Sequence, residues 1–140
     1  MKGDIMPLIT WSEKYSVAVK DFDQQHQKLI TLINDLHDAM KAGKAKSILE
    51  GILDELESYT EYHFKAEEDM MKKHAYPELE NQKTQHAGFV TKIKEFQTQF
   101  KSGKTSVSLE ISNFLRDWLI NHINGTDKNY GSFFNQKGVK

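Results

Sequence analysis

The stretch Tyr59-Thr60-Glu61-Tyr62-His63-Phe64-Lys65-Ala66-Glu67-Glu68-Asp69-Met70 decides how this chain is read. It continues an apolar series, Leu49, Ile52, Leu53, Leu56 and Tyr59, whose steps of three and four are those of one helix face. Between Tyr59 and Met70 that face should stay apolar, yet the steps are filled by His63 and Glu67. The i,i+4 spacing keeps both side chains on the same side of the helix. A carboxylate buried without a partner is costly, and so is an imidazole with unsatisfied nitrogens. The interior next to this helix must therefore hold something that compensates them.

Outward from this stretch, the same periodicity recurs three more times. Phe22, Leu29, Ile30, Ile33, Leu36 and Met40 mark an earlier helix. Leu79, Phe89, Ile93, Phe96 and Phe100 mark a later one, and Ile111, Leu115, Trp118, Leu119 and Ile123 a last one. Gly43 and Gly103 punctuate the series, and Pro77 suits the first turn of a helix, where its missing N–H costs nothing. Tyr76, just before it, is pushed away from helical geometry. The expected helices span about 20–41, 46–74, 77–102 and 107–123, preceded by an arm, 1–19, containing Trp11 and Tyr15. Four amphipathic helices with short connections predict an all-α, antiparallel up-down-up-down four-helix bundle in one domain, 1–140.

Each of the other helices also interrupts its stripe. His26 falls between Phe22 and Leu29, Gln82 and His86 between Leu79 and Phe89, and His122 four residues after Trp118. In an antiparallel bundle all these positions fall at the same end, roughly 6–16 Å from it at ~1.5 Å of rise per residue. They can meet in one layer, and a metal ion is the economical compensating group. His37 lies roughly 16 Å further down the axis than His26, and His74 falls in the turn before Pro77, so both are expected to be surface or packing residues. Nitrogen and carboxylate oxygen without sulfur suit iron, manganese or zinc.

Composition narrows the field. With 19 basic and 20 acidic residues among 140, no charge excess points to nucleic acid. The chain has no cysteine, which removes disulfides and thiolate metal sites. No apolar run reaches the roughly 18–20 residues of a membrane helix. Met1–Thr10 is too short and broken for a signal peptide, so a cytoplasmic location is expected and Asn124-Gly125-Thr126 reads as a chance glycosylation match. Oligomeric state is open; a monomer fits.

The ordered set Ile9-Thr10-Trp11, Asp23-Gln24-Gln25-His26, His63-Phe64-Lys65-Ala66-Glu67-Glu68, Tyr76-Pro77, His86, Trp118-Leu119-Ile120-Asn121-His122-Ile123, Asp127 and Tyr130 resembles the hemerythrin family in its single-domain bacterial form, over almost the whole chain. The resemblance implies two irons joined by two carboxylates and a bridging oxo or hydroxo group, with dioxygen as the partner. Carried over, Glu67 and Asp127 are the bridges. His26 and His63 hold the iron with an open position for dioxygen, and His86 and His122 hold the other. Asp127 follows His122 by five residues, so a π-type bulge or an unwinding near Gly125 must bring it round. Asp23, one turn before His26, is expected to orient that imidazole from outside the metal sphere.

One position departs from the pattern: where the second iron normally has a third histidine, four residues before His86, this chain has Gln82. Its amide oxygen can ligate weakly, or the amide can hold a bound water; either way the second ion is expected to be weaker, and one iron instead of two is an open outcome. Phe22, Leu29, Ile30, Tyr59, Phe89, Trp118 and Leu119 are candidates for a dry shell around the site. Three readings follow. The first is oxygen binding (carrier, store or sensor), the second a redox enzyme or scavenger using peroxide or nitric oxide, and the third a non-redox bundle with zinc or no metal. Oxygen binding is favoured over turnover. The chain contains no Glu-x-x-His pair, which counts against a ferritin-like oxygenase.

Overall fold

The computed structural model describes residues 8–103 and 108–140 and contains no strand among them. Helices α1 (Lys20–Lys41), α2 (Lys46–Lys73), α3 (Leu79–Lys101) and α4 (Ser108–His122) form the four-helix bundle, with α1 packed on α2 and α4, and α2 on α3. A π-helical turn, Ile123–Asp127, leads from α4 into α5 (Lys128–Gln136). No helix among the described residues is long and apolar enough to cross a membrane. The expected arm residues 1–7 and the expected start of the last helix at 107 lie outside the described residues.

Three boundaries differ from expectation. Helix α2 ends at Lys73, one residue early, because Ala75 adopts a left-handed backbone (φ 57°) that cannot continue it. Helix α3 runs from Leu79 to Lys101 instead of 77–102: Pro77 sits in a turn closed by the Leu79 N–H donating to the Tyr76 carbonyl (3.3 Å). The fourth helical run does not stop at 123. Asn124, Gly125 and Thr126 are weak helix formers, but the backbone widens into a π turn and stays helical to Gln136.

The core runs the length of the bundle through Leu32, Ile33, Leu36, Leu53, Ile93, Phe100, Ile111 and Leu115, all almost fully buried. Along α2 the interior seam is Leu49, Leu53, Leu56, Thr60, His63 and Glu67, in alternating steps of four and three, followed by Met71 four residues on. Tyr59, expected on this seam and in the dry shell, is half-buried instead and its ring meets that of Tyr62 at 5.5 Å between centroids.

The arm and α5 close the end of the bundle where the polar interior lies. Ile9 exchanges two hydrogen bonds with the Asn34 side chain, its N–H donating to Oδ1 (2.9 Å) and its carbonyl accepting from Nδ2 (2.8 Å). Gly131 of α5 lies against the arm so closely that a Cβ there would stand 2.0 Å from the Val17 carbonyl oxygen. Tyr130 and Phe134 then cover the layer below Phe22, whose ring contacts theirs at 5.5 and 6.1 Å between centroids.

Candidate metal centre

His26, His63, Glu67, Gln82, His86, His122 and Asp127 come together in one buried layer, none more than 4% exposed. The bundle brings the first six from α1 to α4 to a common depth. Asp127 joins them because the π turn adds the extra residue that rotates it onto the interior face, as a five-residue step from His122 requires.

Each carboxylate divides its oxygens between two groups of imidazoles. Glu67 Oε2 lies 3.3 Å from both His26 Nε2 and His63 Nε2, while Oε1 lies 3.4 Å from His86 Nε2. Asp127 Oδ2 lies 3.2 Å from His26 Nε2, while Oδ1 lies 3.0 Å from His122 Nε2. Two clusters with metal-ligand geometry result. One is His26, His63 and Glu67, and the other is Glu67, His86, His122 and Asp127, the donor atoms of each lying within 4.8 Å of one another.

The far nitrogens explain which atoms face inward. Nδ1 of His63 donates to Gln25 Oε1 (2.6 Å), that of His86 to a Glu68 carboxylate oxygen (2.7 Å), and that of His122 to Gln85 Oε1 (2.8 Å). An amide oxygen and a carboxylate only accept, so these Nδ1 atoms carry protons and Nε2 is the nitrogen left to face the interior. Thr126 also donates to Gln85 Oε1 (3.2 Å), fixing that acceptor. Phe64 stacks on His86 (3.8 Å between centroids, 2° between planes) and Trp118 on His122 (4.4 Å, 16°), which sets the ring tilts.

Electrostatics of the bare protein is that of a site short of positive charge. Burial opposes ionised Glu67, but His63, His26 and His86 outweigh it and hold its carboxyl well below the usual range. Asp127 is likewise lowered, burial and Glu67 being outweighed by His122 and His26. Burial disfavours a charged His26, yet the Asp127 and Glu67 carboxylates raise it to about 9. A proton on His26 thus substitutes for part of the missing charge. His63 is lowered, burial outweighing the pull of Glu67. Glu67 Oε1, Asp127 Oδ2 and Gln82 Oε1 are buried with no hydrogen-bond partner among the described residues. Buried acceptor oxygens crowded among four imidazoles fit a cation.

Asp23 makes no hydrogen bond to His26. Its carboxylate accepts from Ser16 Oγ (2.6 Å) and from the Val17 N–H (2.8 Å), tying the arm to α1, while His26 Nδ1 has no partner among the described residues. The arm's donors lie nearer to Asp23 and satisfy it first. Gln82 donates Nε2 to Asp127 Oδ1 (3.2 Å). His37 bonds Ser112 Oγ through Nδ1 (3.0 Å), and His74 packs near Phe134, both away from the centre. Gln25, Glu68, Gln85 and Tyr130 were not singled out by sequence for these roles. Tyr130 donates its hydroxyl to Glu67 Oε2, and burial raises the phenol well above its usual pKa, so the proton stays.

Comparison with known proteins agrees with this geometry. The profile of the Hemerythrin HHE cation binding domain matches residues 17–133. The chain is 35% identical over 127 residues to a bacteriohemerythrin of Methylococcus capsulatus, covering 90% of this chain and 96% of that protein. It is 33% identical over 125 residues to a bacteriohemerythrin of Stenotrophomonas maltophilia, covering 89% and 80%. A myohemerythrin of Theromyzon tessulatum is 33% identical over 120 residues, covering 86% and 88%. The crystal structure of a wild-type hemerythrin superposes with a TM-score of 0.84 at 35% identity, covering 89% of this chain and 96% of that one. By sequence, by fold and by the convergence of these side chains, the chain belongs to the hemerythrin family.

Proposed function

We propose that this chain is a non-haem di-iron protein that binds dioxygen, as carrier, store or sensor, at a site bridged by Glu67 and Asp127. The observation that carries the reading is the division of both carboxylates, one oxygen toward His26 and the other toward the His86 and His122 side. His26 and His63 would hold one ion, His86 and His122 the other, with an oxo or hydroxo group completing the bridge. Nitrogen and oxygen donors without sulfur suit iron, and family membership favours it over zinc or manganese. When bound, the reduced iron pair would supply the electrons and the open coordination position that dioxygen requires.

The protein's own part is orientation and exclusion. Gln25, Glu68 and Gln85 hold three imidazoles in the tautomer that offers Nε2. Tyr130 keeps its proton and donates it to Glu67 Oε2, the carboxylate oxygen on the His26 and His63 side. Leu29, Ile30, Phe89 and Leu119 wall the inner side with buried hydrocarbon and keep out water and the protons it carries. Such exclusion favours release of dioxygen unchanged.

Gln82 supports a second reading. Each ion would take two imidazoles and two carboxylate oxygens, and a further buried oxygen in the same layer is that of the Gln82 amide, a weaker ligand than imidazole. A more open second ion favours redox use of peroxide or nitric oxide. Anaerobic loading with ferrous iron, followed by cycles of oxygenation and degassing, separates the readings. A visible band that appears and vanishes reversibly supports dioxygen binding. Irreversible oxidation with turnover of peroxide or nitric oxide supports the second reading, and a colourless protein contradicts both.

A further inference from the structure

One turn inward from the ligands the four helices form a second layer: Leu29 and Ile30 three and four residues after His26, Phe89 three after His86, and Leu119 three before His122, all buried. The corresponding residue of α2, three before His63, is Thr60, fully buried on the seam that carries His63 and Glu67. Its hydroxyl has no hydrogen-bond partner among the described residues. A threonine inside a helix ordinarily donates to the carbonyl four residues back. Three exposed ones here do so: Thr31 to Gln27 (3.1 Å), Thr84 to Glu80 (3.0 Å) and Thr98 to Lys94 (3.1 Å). Thr60 is the buried threonine that does not, and a buried hydroxyl left unpaired costs about 1–3 kcal/mol. In a wall otherwise built of hydrocarbon, that hydroxyl has a use for which the fold itself gives no partner.

We propose that the Thr60 hydroxyl is a hydrogen-bond donor to the small ligand seated at the open position beside His26 and His63. This rests on the functional reading above and names the group by which this chain holds its ligand. Thr60 and His63 are neighbours on one face at i,i+3, with side chains ~5–6 Å apart at Cβ, so a two- or three-atom ligand reaching inward from the ion meets the hydroxyl. A donor at that point strengthens retention of a ligand whose outer atom carries negative charge. It contributes no ligand atom and is therefore a positioning residue.

The test uses the full chain loaded with iron, with azide as probe in the oxidised protein and dioxygen in the reduced one, for the parent, Thr60→Val and Thr60→Ser. Thr60→Val should keep the parent's iron content, bind azide ~10-fold more weakly and release dioxygen ~10-fold faster, as loss of one hydrogen bond to a charged acceptor implies. The vibrational band of bound azide should shift in heavy water in the parent and in Thr60→Ser but not in Thr60→Val. Without iron, Thr60→Val should melt at or above the parent's temperature, since it removes an unpaired hydroxyl. Unchanged azide affinity and an unchanged heavy-water shift in iron-loaded Thr60→Val overturn the inference while leaving the functional reading intact. A lower melting temperature of the iron-free variant also overturns it, because the hydroxyl is then used by the fold. A parent chain that takes up no iron overturns both.

Discussion

His86 and His122 point their Nε2 atoms at each other across 3.2 Å, while the Nδ1 of each is committed to an acceptor on the outer side, Glu68 and Gln85. With each Nδ1 engaged outward, two Nε2 atoms at that distance call for a proton or a metal ion between their directions, so the pair is arranged for something that accepts both. The same acceptors offer a way to test the arrangement without touching a ligand. Glu68→Ala should weaken the second ion by ~10–100-fold, the usual effect of losing an outer partner of a ligating imidazole. Stepwise titration with ferrous iron should leave the first ion nearly unaffected.

Asp23 should prove structural. Its bonds to Ser16 and Val17 fasten the arm to α1 at the closed end of the bundle. Asp23→Ala is expected to destabilise the protein by about 1–3 kcal/mol in urea unfolding, through the unpaired Val17 N–H. Iron content at saturation should not change. A variant of normal stability that loses iron would restore the role first expected from the one-turn spacing to His26.

Gly131 should tolerate no side chain. A methyl there would fall 2.0 Å from a backbone oxygen of Val17, which cannot swing aside as a long side chain can. Gly131→Ala is therefore expected to cost at least about 1–3 kcal/mol, the range for forced overpacking. The sign is informative, because alanine normally stabilises a helix relative to glycine. Thermal unfolding that shows a raised melting temperature would mean that α5 does not dock on the arm as described.

Glu57 should make stability depend on pH away from the metal centre. The facing Glu61 carboxyl, with partial burial, raises it from 4.5 to about 7. A carboxyl bound more tightly to its proton in the folded state stabilises below its unfolded pKa, and that contribution is lost as pH rises through about 7. Glu57→Gln keeps a neutral side chain at every pH, so its melting temperature should fall less than the parent's between pH 5 and 8. Parallel curves would contradict the Glu57–Glu61 pairing.

How much of this was legible beforehand follows from what each feature depends on. His26, His63, Glu67, His86 and His122 interrupt apolar stripes, and periodicity alone exposes such residues. Asp127 could not be found that way, because its inward turn depends on a π turn that shifts the register after His122. Helix α5 was hidden behind Asn124, Gly125 and Thr126, whose weak propensity is overridden by burial of Tyr130 and Phe134. Gln25, Glu68 and Gln85 look like ordinary surface residues in one dimension; only the packed bundle sets each beside an imidazole on a neighbouring helix. The exchange of Tyr59 for Thr60 on the α2 seam has a simpler cause. Hydrophobicity favoured the tyrosine, whereas the alternating four and three steps from Leu49 to Glu67 select the threonine.

The most direct measurement is the iron content of the chain after anaerobic reconstitution with ferrous salt and removal of excess, with Gln82→His alongside. Two ions per chain are predicted at saturation, the second held more weakly than the first and tightened in Gln82→His, where an imidazole would stand beside Asp127. A protein that retains no iron would contradict the account, because the inward lone pairs of His63, His86 and His122 would then have to be satisfied by some other means.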